Sequence, residues 1–502
     1  MGEAWDRFFR SRAAQKAAYH GRAGAKQVRS FPEWTSMLAL PQVVYFRRFC
    51  SFFWFLLFLA ALGIAAWQLI ETIKNYRSYG FTTTRTLNFD AHPFPAVTAC
   101  DLNPFKRDLA YQNAEIVTLM NALEYAFEKT RCSTNNCTVD TNSTLDSYIS
   151  EYGLSDLRDT STVVLQASRL LTLITGSLNL TSASAQYDDF IQGCSFNTQD
   201  CVDTDWTKFE SQAMGTCFTF NIAKARNVSR VGPIYGLRAI IKTNVSQYLP
   251  VSPSAGFKVL VHHQDEYPFP DIYGVNVMVG SAAMVGVSYT EVTRLGQPYS
   301  KCVLDSPEDY IYPKNYSTEG CLRSAYQLSV IKNCGCYDPS FPASSNLTVQ
   351  TNDGTNVSMK RIGACTLDNY ACWISQSDSN FVNNCTNPCY ETSYSVGVSF
   401  ASWPSGSSST IGACMGGDYG NLTCDVMYAQ NGALIQVFFE AQSYEVMAEV
   451  PTYPTSSFLS DFGGTLSLWI GGSILVLLEI ALLFIQCVFT CICPCCDRHI
   501  GY

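Results

Sequence analysis

The two longest runs of apolar residues lie near opposite ends of the chain. Residues 52–70 contain no charged side chain and approach the ~20 residues that a helix needs to cross a bilayer. Residues 466–493 are similarly apolar and carry one charge, on Glu479. The first run starts too late and is too long for a signal peptide, whose apolar core spans ~7–15 residues, and it lacks a small-residue cleavage site. The pattern predicts two transmembrane helices, the first a retained signal-anchor.

The apolar positions between these runs follow shorter periods. Residues 257–262 (FKVLVH) and 433–439 (ALIQVFF) alternate as strands do, and residues 113–129 have helical spacing. Stretches rich in Gly, Ser and Asn around 340–360 and 403–421 are typical of surface loops. No internal repeat is present, which argues against solenoids and propellers. The central segment is therefore predicted to be a mixed α/β domain of the α+β class.

Charge and sequons assign the two sides of the membrane. Residues 1–50 carry nine basic and three acidic side chains, whereas the whole chain has a net charge of -9. Arg47 and Arg48 precede the first run, which places the N-terminus in the cytoplasm by the positive-inside tendency. All Asn-x-Ser/Thr sequons lie between the two runs, as glycosylation in the secretory lumen requires; they are Asn136, Asn142, Asn179, Asn227, Asn244, Asn315, Asn346, Asn356, Asn384 and Asn421.

This topology divides the chain into five predicted regions. They are a cytoplasmic N-terminus (1–50), a first transmembrane helix (51–71), an extracellular cysteine-rich domain (72–455), a second transmembrane helix (456–490) and a cytoplasmic tail (491–502). Both termini are then cytoplasmic, and membrane lipid is a partner.

Cysteine usage indicates an oxidising compartment for the central domain. Sixteen of the 22 cysteines lie between Cys100 and Cys424, and an even number in an extracellular segment favours a disulfide framework. Zinc is the weaker interpretation, because only His92, His262 and His263 lie there and the cysteines do not form paired CxxC knuckles. Neither a metal nor a cofactor is predicted. S-palmitoylation and free thiols are both open for the six remaining cysteines: Cys50, Cys487, Cys491, Cys493, Cys495 and Cys496.

The second apolar run contains two features that are unusual for a membrane helix. Gly471 and Gly472 are consecutive, and each weakens a helix by ~1 kcal/mol relative to Ala; close helix packing is the ordinary explanation of such small residues. Glu479 follows Ser473 by six residues. An ionisable group at that depth costs about 2.5–3.5 kcal/mol and usually lines a watery path, although a carboxyl at the interface or a protonated one is the alternative.

Other functional classes lack support in the sequence. No GxSxG, HExxH or P-loop motif is present, so an enzyme is not predicted. No basic patch lies within the acidic bulk of the chain, so nucleic acid is not a predicted partner.

Five segments in order resemble the degenerin/epithelial sodium channel/acid-sensing ion channel family. Each matches a family segment: residues 94–105 (FPAVTACDLNPF) match FPAVTxCNxNPF, and residues 215–221 (GTCFTFN) match GxCFTFN. Residues 262–268 (HHQDEYP) match HxQDExP, residues 298–302 (PYSKC) match PYSxC, and residues 459–473 (LSDFGGTLSLWIGGS) match the entry to the second span. The likeness covers roughly residues 45–480. It implies a plasma-membrane cation channel that is a homo- or heterotrimer, prefers sodium ions, conducts them passively and is gated by a ligand or other stimulus.

The resemblance also implies disulfides. Four rungs of the thumb ladder of acid-sensing members fit, and two further family-like bridges are implied: Cys302–Cys389, Cys321–Cys385, Cys334–Cys372, Cys336–Cys365, Cys100–Cys217 and Cys194–Cys201. A fifth rung is missing, since Ala325 and Asn383 replace both of its cysteines. The four cysteines left over are then predicted to pair locally, as Cys132–Cys137 and Cys414–Cys424.

Roles at the pore follow from the same resemblance. Gly471, Gly472 and Ser473 match the G-x-S constriction that selects ions with backbone carbonyls and a hydroxyl, and Glu479 would form a ring of three carboxylates. The family often has a second acid three residues later, where this chain has Leu482. Ser460 matches a small residue at the outer mouth, Asp461 an acid outside the gate and Gly464 a position associated with amiloride block. A helix N-cap is the structural alternative for Ser460 or Asp461.

Gating is specified less completely. Tyr76 and Tyr299 match aromatic positions that couple the ectodomain to the first span. Asp265 and Glu266 match part of the acidic pocket of acid-sensing members, and Asp378 matches one thumb partner, but Ile374 replaces the other. Paired carboxylates raise one another's pKa, which would allow proton sensing, yet an exposed acidic turn is the favoured interpretation. The family's His-Gly gating dipeptide aligns with Leu38 and Ala39.

Two other classes of membrane protein fit less well. An ATP-gated purinergic channel also has two spans and a cysteine-rich ectodomain, but the shared segments do not belong to it and no lysine cluster for a triphosphate is seen. A non-conducting or accessory receptor subunit that requires a partner leaves Glu479 and the G-x-S tripeptide unexplained. The stimulus, the Na/K ratio, amiloride sensitivity and the choice between homomer and heteromer are not specified by the sequence.

Overall fold

The chain divides into two compact units. The computed structural model describes residues 31, 48–90, 93–135, 142–154, 159–176, 178, 182–211, 213–222, 225–228, 230–342, 348–350, 356–358, 361–376, 385–406, 423–471 and 473–492. One unit consists of Met1–Thr82 with Val450–Tyr502, and the other of Thr83–Glu449.

Both helices and strands are present in the described part of the chain. The helices are α1 (Arg48–Arg77), α2 (Arg107–Ala110), α3 (Ala114–Asn135), α4 (Ser143–Glu151), α5 (Thr160–Thr175), α6 (Tyr187–Phe190), α7 (Thr318–Cys334), α8 (Tyr370–Ser375), α9 (Cys424–Asn431), α10 (Thr455–Ile470) and α11 (Ile474–Ile492). The strands are β1 (Phe81–Asn88), β2 (Ala96–Asp101), β3 (Ile191–Phe196), β4 (Gln199–Asp200), β5 (Trp206–Ser211), β6 (Gly215–Phe220), β7 (Leu237–Lys242), β8 (Gly256–His262), β9 (Val275–Met278), β10 (Ser281–Thr293), β11 (Thr348–Gln350), β12 (Asn356–Ser358), β13 (Tyr390–Ser402), β14 (Gly432–Phe439) and β15 (Tyr444–Pro451).

The unit made from the chain ends contains the long apolar helices. α1 has 30 residues and continues past the predicted end of the first span at residue 71. Within the described residues, helix 52–77 is the one that length and composition mark as able to cross a membrane. The second predicted span is divided into α10, which ends at Ile470, and α11, which begins at Ile474.

Two β-sheets form the centre of the other unit. The larger has the order β1-β15-β10-β14-β7-β3-β4, with β13 on the second side of β10, and the smaller has the order β5-β6-β2-β8-β9. β10 pairs in parallel with β14 and in antiparallel with β13. Parallel pairing of strands so far apart in sequence is a long-range feature that local patterns do not encode.

A shared hydrophobic core fixes the two sheets against each other. Every residue of β2 and β6 is buried, which agrees with the two apolar segments 94–105 and 215–221 that carry the family likeness. Buried side chains of the smaller sheet, such as Phe220 and Phe257, join those of the larger one, such as Val285 and Val437, in one cluster. Sheets that pack face to face in this way bury apolar side chains in the layer between them.

A helical layer has its own core. Ile116, Leu119 and Leu123 of α3 are fully buried and pack with Leu170 of α5. The Asn113 side chain accepts from the backbone N–H groups of the first turn of α3, which starts the helix where an N-cap residue is expected. The predicted helix at 113–129 and the predicted strands at 257–262 and 433–439 are therefore confirmed.

Disulfides reinforce both parts of this unit. Six join described cysteines, and each links two residues that the resemblance pairs: Cys100–Cys217, Cys194–Cys201, Cys302–Cys389, Cys321–Cys385, Cys334–Cys372 and Cys336–Cys365. Four of them tie α7 and its flanks to residues 365–389. Cys132 and Cys424 are also disulfide-bonded, while their predicted partners Cys137 and Cys414 lie outside the described residues. Each bridge contributes about 2–4 kcal/mol by restricting the unfolded chain.

Candidate functional site

Three contacts place α10 antiparallel beside α1. The Thr452 N–H donates to the Gly80 carbonyl at 2.9 Å, and the rings of Tyr76 and Phe458 lie 4.7 Å apart. Deeper along the helices, the Trp469 Nε1–H donates to Gln68 Oε1 at 2.7 Å. The predicted coupling residue Tyr76 thus stacks on the start of α10.

The three residues predicted for the outer mouth lie on α10. Ser460 and Gly464 are exposed, and a Cβ atom added at Gly464 would meet nothing within 4 Å. The Asp461 carboxylate accepts a hydrogen bond from the Tyr453 hydroxyl at 2.5 Å. The N-cap interpretation of Ser460 and Asp461 is wrong, because α10 begins at Thr455 and both residues lie beyond its first turn.

The break between α10 and α11 has a backbone cause. Gly471 adopts a left-handed conformation with φ of 69° and ends α10, a conformation that glycine accepts without steric cost. After Gly472, which lies outside the described residues, the Ser473 Oγ accepts from the Val476 N–H at 3.4 Å. Gly471 therefore ends α10, and Ser473 lies immediately before the start of α11.

Glu479 lies on α11, nearly two turns after Ser473. Its side chain is half-buried, and Val476 one turn earlier is buried. Leu482, which stands in place of a second acid, is exposed on the same helix. No described metal-ligating cluster of His, Cys, Asp or Glu side chains surrounds this region.

The acidic turn at residues 265 and 266 is only partly exposed. Asp265 is exposed, as expected, but Glu266 is half-buried and lines a cavity of about 380 Å³ together with Glu319 and Glu391. Burial raises the pKa of Glu266 to about 7, and the nearby Glu391 carboxylate acts in the same direction. The exposed-turn interpretation is therefore wrong for Glu266, which is half-buried at a cavity that residues of β13 also line.

Neighbouring groups in this cavity are already paired. Glu391 forms an ion pair with Arg294 at 2.7 Å. His262 is buried, and its Nε2 lies 2.8 Å from the Thr98 hydroxyl; burial lowers its pKa to about 4, so it stays neutral near neutral pH. Asp378 lies outside the described residues.

A second, larger cavity contains an ionic cluster that the sequence analysis missed. It measures about 980 Å³ and includes Ile374 in its lining. Arg323 donates to Glu319 at 2.6 Å and forms an ion pair with Asp271, with its guanidinium 4.7 Å from the ring centre of Phe269. The i,i+4 spacing of Glu319 and Arg323 on α7 could have suggested one pair, but Asp271 is distant in sequence.

The remaining predicted site residues are distributed widely. Tyr299 follows the cis peptide Gln297–Pro298 and its N–H donates to the Gly296 carbonyl at 3.1 Å; its coupling role stays a prediction. Four sequon asparagines, Asn142, Asn227, Asn244 and Asn315, are exposed, and Asn356 lies in β12. Several predicted positions lie outside the described residues: Leu38, Ala39, Asn136, Asn179, Asn346, Asn384 and Asn421.

Comparison with known proteins identifies the family. Residues 31–483 match the family described as "Amiloride-sensitive sodium channel". The degenerin-like protein unc-105 of Caenorhabditis elegans is 35% identical over 349 residues, which cover 66% of this chain and 39% of that protein. Degenerin unc-8 is 33% identical over 67% of this chain and 44% of its own length, and the degenerin-like protein asic-1 is 34% identical over 67% and 41%, both from the same organism.

The disulfide-rich α/β unit and the long apolar helices are therefore those of a membrane channel family and not of an enzyme family. The chain belongs to the amiloride-sensitive sodium channel family. It spans less than half the length of each of the three relatives described above.

Proposed function

We propose that this chain is one subunit of a trimeric cation channel of the plasma membrane, which prefers sodium and conducts it passively when a stimulus opens it. The single observation that carries the proposal is the break between α10, which ends at Ile470, and α11, which begins at Ile474, followed by Glu479. Family membership supports the same class of activity.

The chemistry of the break suits a small, hard cation. The last four carbonyl groups of an α-helix lack partners within the helix, and the helix dipole makes its C-terminal end negative. At α10 the Ser467 carbonyl accepts from the Gly471 N–H at 3.1 Å, so the ligands would come from the carbonyls after Ser467, which lie next to Gly471, and the Ser473 hydroxyl adds another oxygen. Three copies around an axis would supply rings of oxygen ligands that replace part of the hydration shell of an ion.

Glu479 would act on the cytoplasmic side of this constriction. Three carboxylates at that depth would attract cations and repel anions. With Leu482 in place of a second acid, cation preference has more support than preference for sodium over potassium.

The proposal includes a topology. The first span is α1, the second is α10 with α11, both termini are cytoplasmic, and the unit Thr83–Glu449 is extracellular. The exposed sequons and the disulfides of that unit are consistent with an extracellular location. Related subunits, identical or not, complete the trimer.

Whole-cell current tests this proposal. The chain is expressed alone, as wild type and as Ser460→Tyr, and external sodium is replaced by potassium and then by a large organic cation. We expect an inward sodium current that disappears in the organic cation and is several-fold larger in Ser460→Tyr, because a bulky side chain at the exposed position 460 hinders closure of the outer mouth.

Ser456→Tyr is the matched control, since it introduces the same side chain one turn earlier, in the first turn of α10. It should leave the current near that of the wild type. Absence of current from wild type and Ser460→Tyr, with surface expression shown by biotinylation, would contradict a self-sufficient channel and favour an accessory subunit.

A further inference from the structure

One hydrogen bond between side chains joins α1 to α10, and it lies beside the helix break. The Trp469 Nε1–H donates to Gln68 Oε1 at 2.7 Å, and both side chains are half-buried. In the described residues of α1 and α10, no other side-chain hydrogen bond crosses between the two helices. Gln68 is also the one amide within the apolar run 52–70.

The apolar surroundings make this bond selective. An indole N–H can only donate, and a glutamine oxygen accepts. Where water is scarce, a polar group that loses its partner is left unsatisfied. Hydrogen bonds between membrane helices contribute about 0.6 kcal/mol on average and up to ~1.7 kcal/mol. The two side chains are therefore expected to stay paired while α10 keeps its present rotation.

The position of the bond along α10 gives it a specific consequence. The start of α10 is held by the Gly80–Thr452 and Tyr76–Phe458 contacts. Trp469 lies eleven residues after Phe458, which corresponds to ~16 Å of helix. It is two residues before Gly471, so the bond fixes the last turn of α10, whose carbonyl groups face the break.

We propose that Gln68 is a positioning residue for the ion constriction. By binding Trp469, it sets the rotation of the last turn of α10 and with it the direction of the carbonyl groups at Gly471. The inference rests on the proposed channel function, and it assigns to the first helix a part in ion selection although that helix supplies no ligand.

The test is a double-mutant cycle on ion selectivity. Gln68→Met keeps the length of the side chain without its acceptor, and Trp469→Phe keeps an aromatic ring without its donor; both changes are also combined. All variants carry Ser460→Tyr to enlarge the current, and the Na⁺/K⁺ permeability ratio is measured from reversal potentials. Trp67→Phe is the matched control, because Trp67 is adjacent to Gln68 but is 66% exposed.

We expect each single variant to lower the permeability ratio by about threefold, the equivalent of the average bond energy. The double variant should lower it no further, since both changes remove the same bond. Trp67→Phe should leave the ratio unchanged. A reversal potential does not depend on how much protein reaches the surface, so a merely structural contribution of Gln68 would change current amplitude and not the ratio.

Several results would overturn the inference. They are an unchanged ratio in both single variants, additive effects in the double variant, or an equal effect of Trp67→Phe. If Gln68→Met does not reach the surface, the permeability ratio of Trp469→Phe, compared with that of Trp67→Phe, decides the question. Absence of current already in the Ser460→Tyr parent would show that the channel function itself fails, which is distinct from a current whose selectivity is insensitive to Gln68.

Discussion

Asp101 illustrates how one side chain can contribute to the pH dependence of stability. It ends β2, and its carboxylate is buried among three donors: the Tyr248 hydroxyl at 2.6 Å, the Asn103 N–H at 3.0 Å and the Thr243 hydroxyl. These hydrogen bonds favour the ionised form, yet burial outweighs them and raises the pKa of Asp101 to about 6. The family segment has Asn at this position, so the charge is a feature of this chain.

Asp101→Asn should therefore stabilise the protein at neutral pH. A folded-state pKa of about 6 lies above the ordinary 3.8, so the stabilising contribution of the protonated form is complete below about 3.8 and is lost as pH rises through about 6. Two pKa units correspond to about 3 kcal/mol. We expect Tm of the full chain in detergent to rise by a few degrees at pH 7.4 in Asp101→Asn and to change little at pH 4.

The comparison is made between variant and wild type at each pH, because Glu266 titrates in the same range. Thr243→Val is a useful second variant, since it removes a donor to the carboxylate and should destabilise the protein more at pH 7.4 than at pH 4. A Tm difference between Asp101→Asn and wild type that does not vary with pH would contradict a raised pKa at Asp101.

At the scale of elements, α7 shows how local sequence and long-range bonds combine. The Ser317 Oγ accepts from the Gly320 N–H at 3.1 Å and caps the helix. Gly335 ends it in a left-handed conformation with φ of 72°. Between these ends, Cys321 and Cys334 bind the helix to residues 385 and 372 through disulfides.

Loss of the α7 cap should destabilise the unit Thr83–Glu449 measurably. Ser317→Ala leaves the first-turn N–H groups without a side-chain partner, and we expect the free energy of unfolding to fall by about 1 kcal/mol, measured by denaturant titration with the disulfides intact.

Ser317 also belongs to the sequon of Asn315, so glycosylation must be separated from capping. Ser317→Asp keeps a capping oxygen but removes the sequon, and it should retain most of the stability. If Ser317→Asp loses as much as Ser317→Ala, the glycan and not the cap explains the effect.

Sequence predicted the elements whose cause is local. Alternation predicted the strands at 257–262 and 433–439, and helical spacing predicted α3. It did not predict the parallel pairing of β10 with β14, the partial burial of Glu266 at a cavity shared with β13 or the contact of Gln68 with Trp469. Each of these depends on residues more than 100 positions apart, which local patterns do not bring together.

At the scale of the whole molecule, two kinds of construction occur in one chain. The unit Thr83–Glu449 has two sheets on a shared core, a helical layer and disulfides. The unit formed by the chain ends has long apolar helices, and in its described residues the Gln68–Trp469 bond and the break between α10 and α11 stand out. The proposed channel function assigns stimulus detection to the first unit and ion selection to the second.

The measurement that tests this account most directly is the reversal potential of the purified chain, as Ser460→Tyr, in planar lipid bilayers with a sodium chloride gradient. If the break at 471–473 and Glu479 form a cation path, the current reverses near the sodium equilibrium potential, and Glu479→Gln reduces the inward current without reversing that preference. A current that reverses near the chloride potential, or no conductance from protein shown to be folded and trimeric in the same preparation, would contradict it.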